Sequence, residues 1–240
     1  MAGRRALNVV NVIGEILITI GVLVLLYLGW QLWINDAINA ASAKRAAVAD
    51  ASQWTPPTTD PAPIEKDYGP PPVVSKVGQG QTIAVIYIPR LGEDSARSIK
   101  ESVIPTVTLN HGYFGHYPDS ALPGQPGNFA LAVHRGGWGS PFKEAQIIRT
   151  GDHIYLQTEA GYYLYTVRNI EYVLPTSVDV LNAIPGTTKD AIPGQSILTI
   201  TTCSPQNDNT ERIAVYSVYD SWRPLSAGPF PEMLSMKKKA

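Results

Sequence analysis

Three side chains in this sequence have the types that acyl transfer needs, and they fall in the order His134, Cys203, Arg212. Cys203 is the only cysteine in the chain. A thiol acting as a nucleophile needs a neighbouring base or cation, a proton donor for the leaving group and a donor for the oxyanion. An imidazole and a guanidinium supply those functions. As bare residues, each has a plainer reading: Cys203 as a small buried hydrophobe, His134 as a structural histidine, Arg212 as a solvated strand-end charge. A lone thiol suits an exported domain, since it has no intramolecular partner with which to oxidise.

The elements that position these residues follow from local pattern. Ile197 to Cys203 alternates Ile or Leu with Thr, a strand composition. Its period of two puts Thr199, Thr201 and Cys203 on one face and Leu198, Ile200 and Thr202 on the other. Ser204-Pro205 stops the strand. Gln206 to Asn209 is turn-forming, and Arg212 opens a second apolar run to Tyr219. That spacing allows a hairpin in which Arg212 meets Cys203. Asn128 to His134 is another strand, with Asn128, Ala130, Ala132 and His134 on one face; nothing in the spacing alone carries His134 to the thiol.

Along the rest of the domain, Thr82 to Ile88, His153 to Thr158 and Tyr162 to Leu174 read as strands, which brings the clear ones to six of about seven or eight expected. Short helices are expected around Ser95 to Glu101 and Phe142 to Ile147, and a long structured loop over Asn110 to Gly127. Twenty Gly and twenty Pro with 16% charged residues fit an all-β core, and no repeat period indicates a propeller or solenoid. These features suggest a closed β-barrel. A net charge of −1 gives no reason to expect a nucleic-acid partner.

Ahead of the barrel, Ile16 to Trp33 carries no formal charge, which is the length and composition of a membrane-spanning helix. Arg4, Arg5 and Glu15 precede it, and Tyr27, Trp30 and Trp33 form an aromatic belt. The span expected is 12–34, uncleaved despite Ala41-Ser42-Ala43 resembling a signal-peptidase site. The domain plan is therefore 1–35 cytoplasmic stub and anchor, 36–78 Ala-rich then Pro-rich extracellular spacer, 79–225 catalytic barrel and 226–240 polar tail. The prolines from Pro56 to Pro72 make the spacer extended.

Thr199-Ile200-Thr201-Thr202-Cys203 followed by Arg212 resembles the signature of sortases, Thr-Leu-X-Thr-Cys with a downstream Arg. Gly115-His116-Tyr117-Pro118, Ala121-Leu122-Pro123-Gly124, Gly127-Asn128-Phe129-Ala130 leading to His134-Arg135, and Val173-Leu174-Pro175-Thr176 resemble the class E sortases of actinobacteria. Val133 stands where that class usually carries Gly. The resemblance implies, as fold class, a closed eight-stranded β-barrel with one or two short helices, and a membrane-anchored cysteine transpeptidase outside a Gram-positive cell. It implies that Cys203 attacks a sorting motif of Leu-Ala-X-Thr-Gly or Leu-Pro-X-Thr-Gly type between Thr and Gly. His134 would be the general acid and base, and Arg212 the oxyanion or substrate-backbone donor. Tyr117, Ala132 and Thr202 are the substrate-binding residues expected. The partners implied are sorting-signal-bearing surface proteins and an amine of a peptidoglycan precursor. No cofactor and no metal are expected: His111, His116 and His153 lack ligand-like spacing, and Glu159, Glu171 and Asp179 are scattered. The rival readings are a pilin-polymerising sortase and a non-catalytic tethered barrel. An L,D-transpeptidase is disfavoured because Thr201-Thr202 precedes Cys203.

Overall fold

A computed structural model describes residues 2–55 and 67–237. The expected prolines Pro56, Pro57, Pro61 and Pro63 and the lysines Lys238 and Lys239 lie outside the described residues. The barrel strands are β1 (Thr82–Tyr87), β2 (Arg97–Glu101), β3 (Phe114–His116), β4 (Gly127–Ala132), β5 (His153–Gln157), β6 (Gly161–Val173), β7 (Ser196–Ser204) and β8 (Glu211–Pro224). They close in the order β1-β2-β3-β4-β7-β8-β6-β5. The pairs β2/β3 and β4/β7 are parallel and the others antiparallel.

Alternation decides which side chains fill the barrel. Phe129, Leu131 and Val133 at the end of β4, and Leu198 and Ile200 from β7, join Ile86, Ile99, Phe114 and Val215 in one buried cluster. Each such side chain contributes roughly 1.5–3 kcal/mol on burial. The intervening residues Asn128, Ala130, Ala132 and His134 therefore take the outer face of β4, where the cleft lies. The parallel pairing of β4 with β7, with Leu131 opposite Ile200 and Ala132 opposite Thr201, brings the ends of both strands to one rim.

Three local expectations are corrected. Arg97 to Glu101, read within a short helix, is strand β2, because β1 and β3 flank it and take its backbone groups; pairing overrides the weak propensity of a polar segment. Phe114 to His116, read inside a loop, is strand β3. The expected helix at Phe142 to Ile147 contracts to a 3-10 turn, Ala145–Ile147.

Two domain assignments are also corrected. Helix α1 (Ala2–Gly29) runs through a π-helical turn (Trp30–Ile34) into α2 (Asn35–Trp54). Asn11–Gly29, 19 residues that overlap most of the apolar stretch, have a mean hydropathy of 2.4, and none is buried by the described residues. That meets the length and hydropathy of a membrane span, and a signal sequence meets the same test. The Ala-rich half of the expected spacer is docked: Ala43, Ala47 and Ala51 are buried. Their spacing of four stacks them on one side of the helix, and the small side chains let α2 approach β1 and β2 closely. Its far end is held by Asp50, which accepts from Thr82 Oγ1 at 3.0 Å and Ser98 Oγ at 2.6 Å.

Over its described residues, the expected polar tail forms an apolar cap. Just ahead of helix α3 (Pro231–Lys237), the Phe230 ring lies tilted against Tyr155 with centroids 5.3 Å apart, and Met233 within the helix is fully buried. Both join Val85, Tyr87, Tyr162 and Ala47 in a second cluster outside the barrel. The outer face of β1, β5 and β6 is apolar and must be covered, and α2 and α3 cover it. The barrel's packing also begins ahead of Gln79, since Pro72 O accepts from Tyr163 Oη at 2.6 Å and Val74 is buried.

Candidate active site

The cleft is assembled at the shared rim of β4, β7 and β8. In the β7–β8 hairpin, Cys203 is directly opposite Arg212 and Ser204 opposite Glu211. The β4–β7 ladder continues one step past the strand: Val133 N–H donates to Thr201 O at 3.0 Å, and Thr202 Oγ1 donates to Val133 O at 2.8 Å. This pins the residue before His134 to the residue before Cys203. Both His134 and Cys203 line one pocket of about 320 Å³, with Gly136, Asn207, Asp208 and Asn209 around them. Asn207 takes a left-handed backbone (φ 65°) and presses on Gly136. A Cβ at Gly136 would lie 1.9 Å from Asn207 Oδ1, so any larger residue there would have to displace the Asn207 side chain.

His134 is half-buried, and burial lowers its pKa from the ordinary imidazole value. Its Nε2 stands 3.0 Å from Asn110 Oδ1. An amide oxygen only accepts, so the neutral ring pairs with it as the Nε2–H tautomer. Nδ1 then keeps the basic lone pair. Arg135, nearly fully buried, braces the thiol's backbone from behind. It donates to Cys203 O and to Ser204 Oγ, each at 3.4 Å, and to Gln146 Oε1 at 2.9 Å.

Arg212 donates from Nη1 to Asn209 O at 3.0 Å and Glu211 O at 2.8 Å. Among the described residues, Nε and Nη2 have no protein acceptor and are available to a ligand. Arg212 lines a second pocket, of about 220 Å³, with Tyr117, Val173, Leu174, Val178 and Thr201. The Cys203–Arg212 rung thus stands between a polar pocket holding His134 and a largely apolar one under the β6–β7 connection.

The expected site residues divide accordingly. His134, Cys203 and Arg212 come together at the rim. Tyr117 lines the apolar pocket, its hydroxyl 3.3 Å from Thr201 Oγ1. Ala132, half-exposed, faces outward between Gly115 and Thr201. Thr202 differs from the expectation: it is 2% exposed and its hydroxyl is committed to Val133 O, so its side chain supports the wall and does not face the cleft. Asn110, Arg135 and Asn207 went unrecognised in the sequence. Only the adjacency of Arg135 to His134 offered a signal; Asn110 is 24 residues from the histidine it orients.

Comparison with known proteins places this geometry. The sortase domain family matches residues 86–219. Sortase SrtE1 of Streptomyces coelicolor is 33% identical over 222 residues, 90% of this chain and 58% of that protein. The alignment therefore spans little more than half the length of that relative. Among solved structures, the SrtA sortase of Actinomyces oris is 30% identical with a TM-score of 0.65, covering 70% of this chain and 96% of that one. Sortase E1 of Streptomyces coelicolor, solved with a tripeptide in the active site, is 31% identical with a TM-score of 0.59, covering 64% and 97%.

Proposed function

This chain belongs to the sortase family, and from that premise we propose that it is a membrane-anchored transpeptidase. It cuts a Leu-Ala-X-Thr-Gly or Leu-Pro-X-Thr-Gly sorting signal between Thr and Gly. The observation that carries the reading is the strand register, which sets Cys203 opposite Arg212 and pins the β4 end bearing His134 beside both.

In the proposed reaction, the Cys203 thiolate forms a bond to the Thr carbonyl carbon, and Arg212 neutralises the oxyanion with donors held in a fixed fork. Collapse breaks the Thr–Gly C–N bond. His134, as the imidazolium, gives its proton to the departing Gly amine. The thioacyl enzyme is then attacked by an acceptor amine, taken here as one on a peptidoglycan precursor. His134 removes a proton from that amine, the amide forms, and the Cys203 thiolate leaves with the imidazolium restored.

The two pockets match the two halves of this exchange. Val173, Leu174 and Val178 beside Tyr117 offer an apolar seat for the residues preceding Thr. The polar pocket, with His134 at its wall, takes the departing and arriving amines. The tripeptide in the active site of the related Streptomyces sortase E1 supports a peptide occupant of this cleft.

The apolar helix is read as an uncleaved single-pass anchor with the barrel outside the membrane. The burial of Ala43 supports retention, because cleavage after Ala41-Ser42-Ala43 would cut a docked helix. The partners are surface proteins bearing the sorting signal. The test is mass spectrometry of the full chain in detergent micelles with both sorting peptides and several amines. A mass increase on Cys203 equal to the peptide acylated through Thr is the expected result. No adduct with either peptide, or undiminished cleavage by Cys203→Ala, sinks the reading.

A further inference from the structure

The histidine of this site is held by two segments of chain, and both rest on the helix that follows the apolar span. The first is the 3-10 turn Leu109–His111, whose Asn110 Oδ1 meets His134 Nε2. Gly112, at the end of that turn, is packed between Trp138 and α2. A Cβ there would lie 2.8 Å from Trp138 O and 3.1 Å from the Ala43 side chain. The second segment is the loop leaving His134 itself. Phe142 N–H donates back to His134 O at 3.3 Å, closing the loop. At its tip, Gly139 (φ +83°) lies against the backbone of α2, where a Cβ would be 2.8 Å from Ala40 N.

One side chain of α2 ties the second segment down. Asp36 Oδ1 accepts from Gly139 N–H at 2.6 Å, and Asp36 Oδ2 accepts from Ser140 Oγ at 2.8 Å. Both carboxylate oxygens are used on one loop, 103 and 104 residues away in sequence. Charge-assisted bonds of this kind are roughly twice as strong as neutral ones. Asp36 stands only seven positions beyond Gly29, the last residue of the Asn11–Gly29 span. At 1.5 Å per residue that is about 10 Å of helix.

We propose that Asp36 is a positioning residue for His134, through which the helix adjoining the membrane span sets the orientation of the catalytic histidine. The anchor is thereby part of the active site's scaffold, beyond its task of tethering. Asp36 touches neither substrate nor thiol. It fixes the loop that begins at His134, while the same helix backs the turn that carries Asn110. A loosened loop lets the ring turn away from Asn110 and admits water to it.

This inference rests on His134 having the role given above, but its test needs no substrate. In the full chain held in micelles, the titration of His134 is followed by NMR of labelled histidine, assigned by the signal missing in His134→Gln. Burial holds the His134 pKa down. Asp36→Ala, by admitting water, moves the midpoint up toward the ordinary value of about 6.5. Ser140→Ala removes one of the two bonds from the loop side and gives a smaller shift in the same direction. Asn110, which meets the ring, and Arg135, Cys203 and Asp208, which line its pocket, are untouched by either change. In peptide cleavage, Asp36→Ala lowers kcat by about 10-fold or more with KM unchanged, since misplaced groups cost rate more than binding. Asp50→Ala is the control: it frees the other end of α2 from Thr82 and Ser98, lowers Tm and leaves the His134 midpoint in place. An unmoved midpoint in both Asp36→Ala and Ser140→Ala, or an equal shift in Asp50→Ala, overturns the proposal. Failure of the transpeptidase reading shows separately, as absence of a Cys203 adduct in the unaltered chain.

Discussion

Cys203 and Arg212 stand directly opposite each other across the β7–β8 pair, one residue from the end of the ladder at Ser204 and Glu211. Directly opposed Cβ atoms in such a pair lie about 4.5–5.5 Å apart. The two side chains therefore start from adjacent positions on one face of the hairpin without any loop having to close. Their placement depends on two residues of a strand register, which is set by the interior side chains Leu198, Ile200, Ile213 and Val215. The same apolar alternation that builds the core sets Cys203 beside Arg212.

This relationship separates charge from geometry. Arg212→Lys keeps the positive charge but loses the fork and the Nη1 bonds to Asn209 O and Glu211 O. Losing one oxyanion donor costs about 10²–10³ in rate. We expect Arg212→Lys and Arg212→Ala both to fall in kcat/KM by that order, with Lys recovering little. A lysine variant within a factor of about two of wild type would show that charge alone suffices.

Burial of His134 gives the protein a defined acid limb. Its folded pKa lies below the unfolded value of about 6.5. The unfolded state therefore binds the proton first as pH falls. The His134 contribution to stability is intact above about 6.5 and is lost as pH drops from there to the folded value. Urea unfolding of wild type and His134→Gln between pH 7.5 and 5 checks this. The wild type should lose more stability over that window, and parallel curves would contradict it.

Thr202 is expected to affect stability first and catalysis only through it. Thr202→Val keeps the shape and deletes the donor to Val133 O. Leaving a buried partner unsatisfied costs about 1–3 kcal/mol. The expected outcome is a lower denaturation midpoint with KM for the sorting peptide unchanged. A raised KM at unchanged stability would return Thr202 to the substrate site.

Met233 tests the apolar cap. It is fully buried among Tyr155, Tyr162 and Phe230 in the second cluster. Met233→Ala should destabilise by about 2–5 kcal/mol, as for other large-to-small core changes. A change within about 0.5 kcal/mol, the range of surface substitutions, would mean that α3 is not packed in solution.

The sequence by itself determined those features that local periodicity and residue chemistry write down. The alternation from Ile197 to Cys203, the stop at Ser204-Pro205 and the restart at Arg212 specify a hairpin and its facing residues. The alternation of β4 likewise puts His134 on the outer face. The uncharged run of α1 is legible because a span depends only on length and composition. A closed β-barrel was legible through six strongly alternating strands, whereas β2 and β3 were not. Arg97 to Glu101 is polar and Phe114 to His116 is three residues long. Both are strands only because neighbours satisfy their backbones. Tertiary structure alone decided which residues support the site. Asn110 reaches His134, Asp36 reaches Ser140, and Ala43, Ala47 and Met233 find apolar faces that no local pattern announces. Such contacts join segments as far as 104 residues apart. Closing those loops is favourable only once the barrel has brought both ends together, so the information lies in the assembled surface and not in either segment.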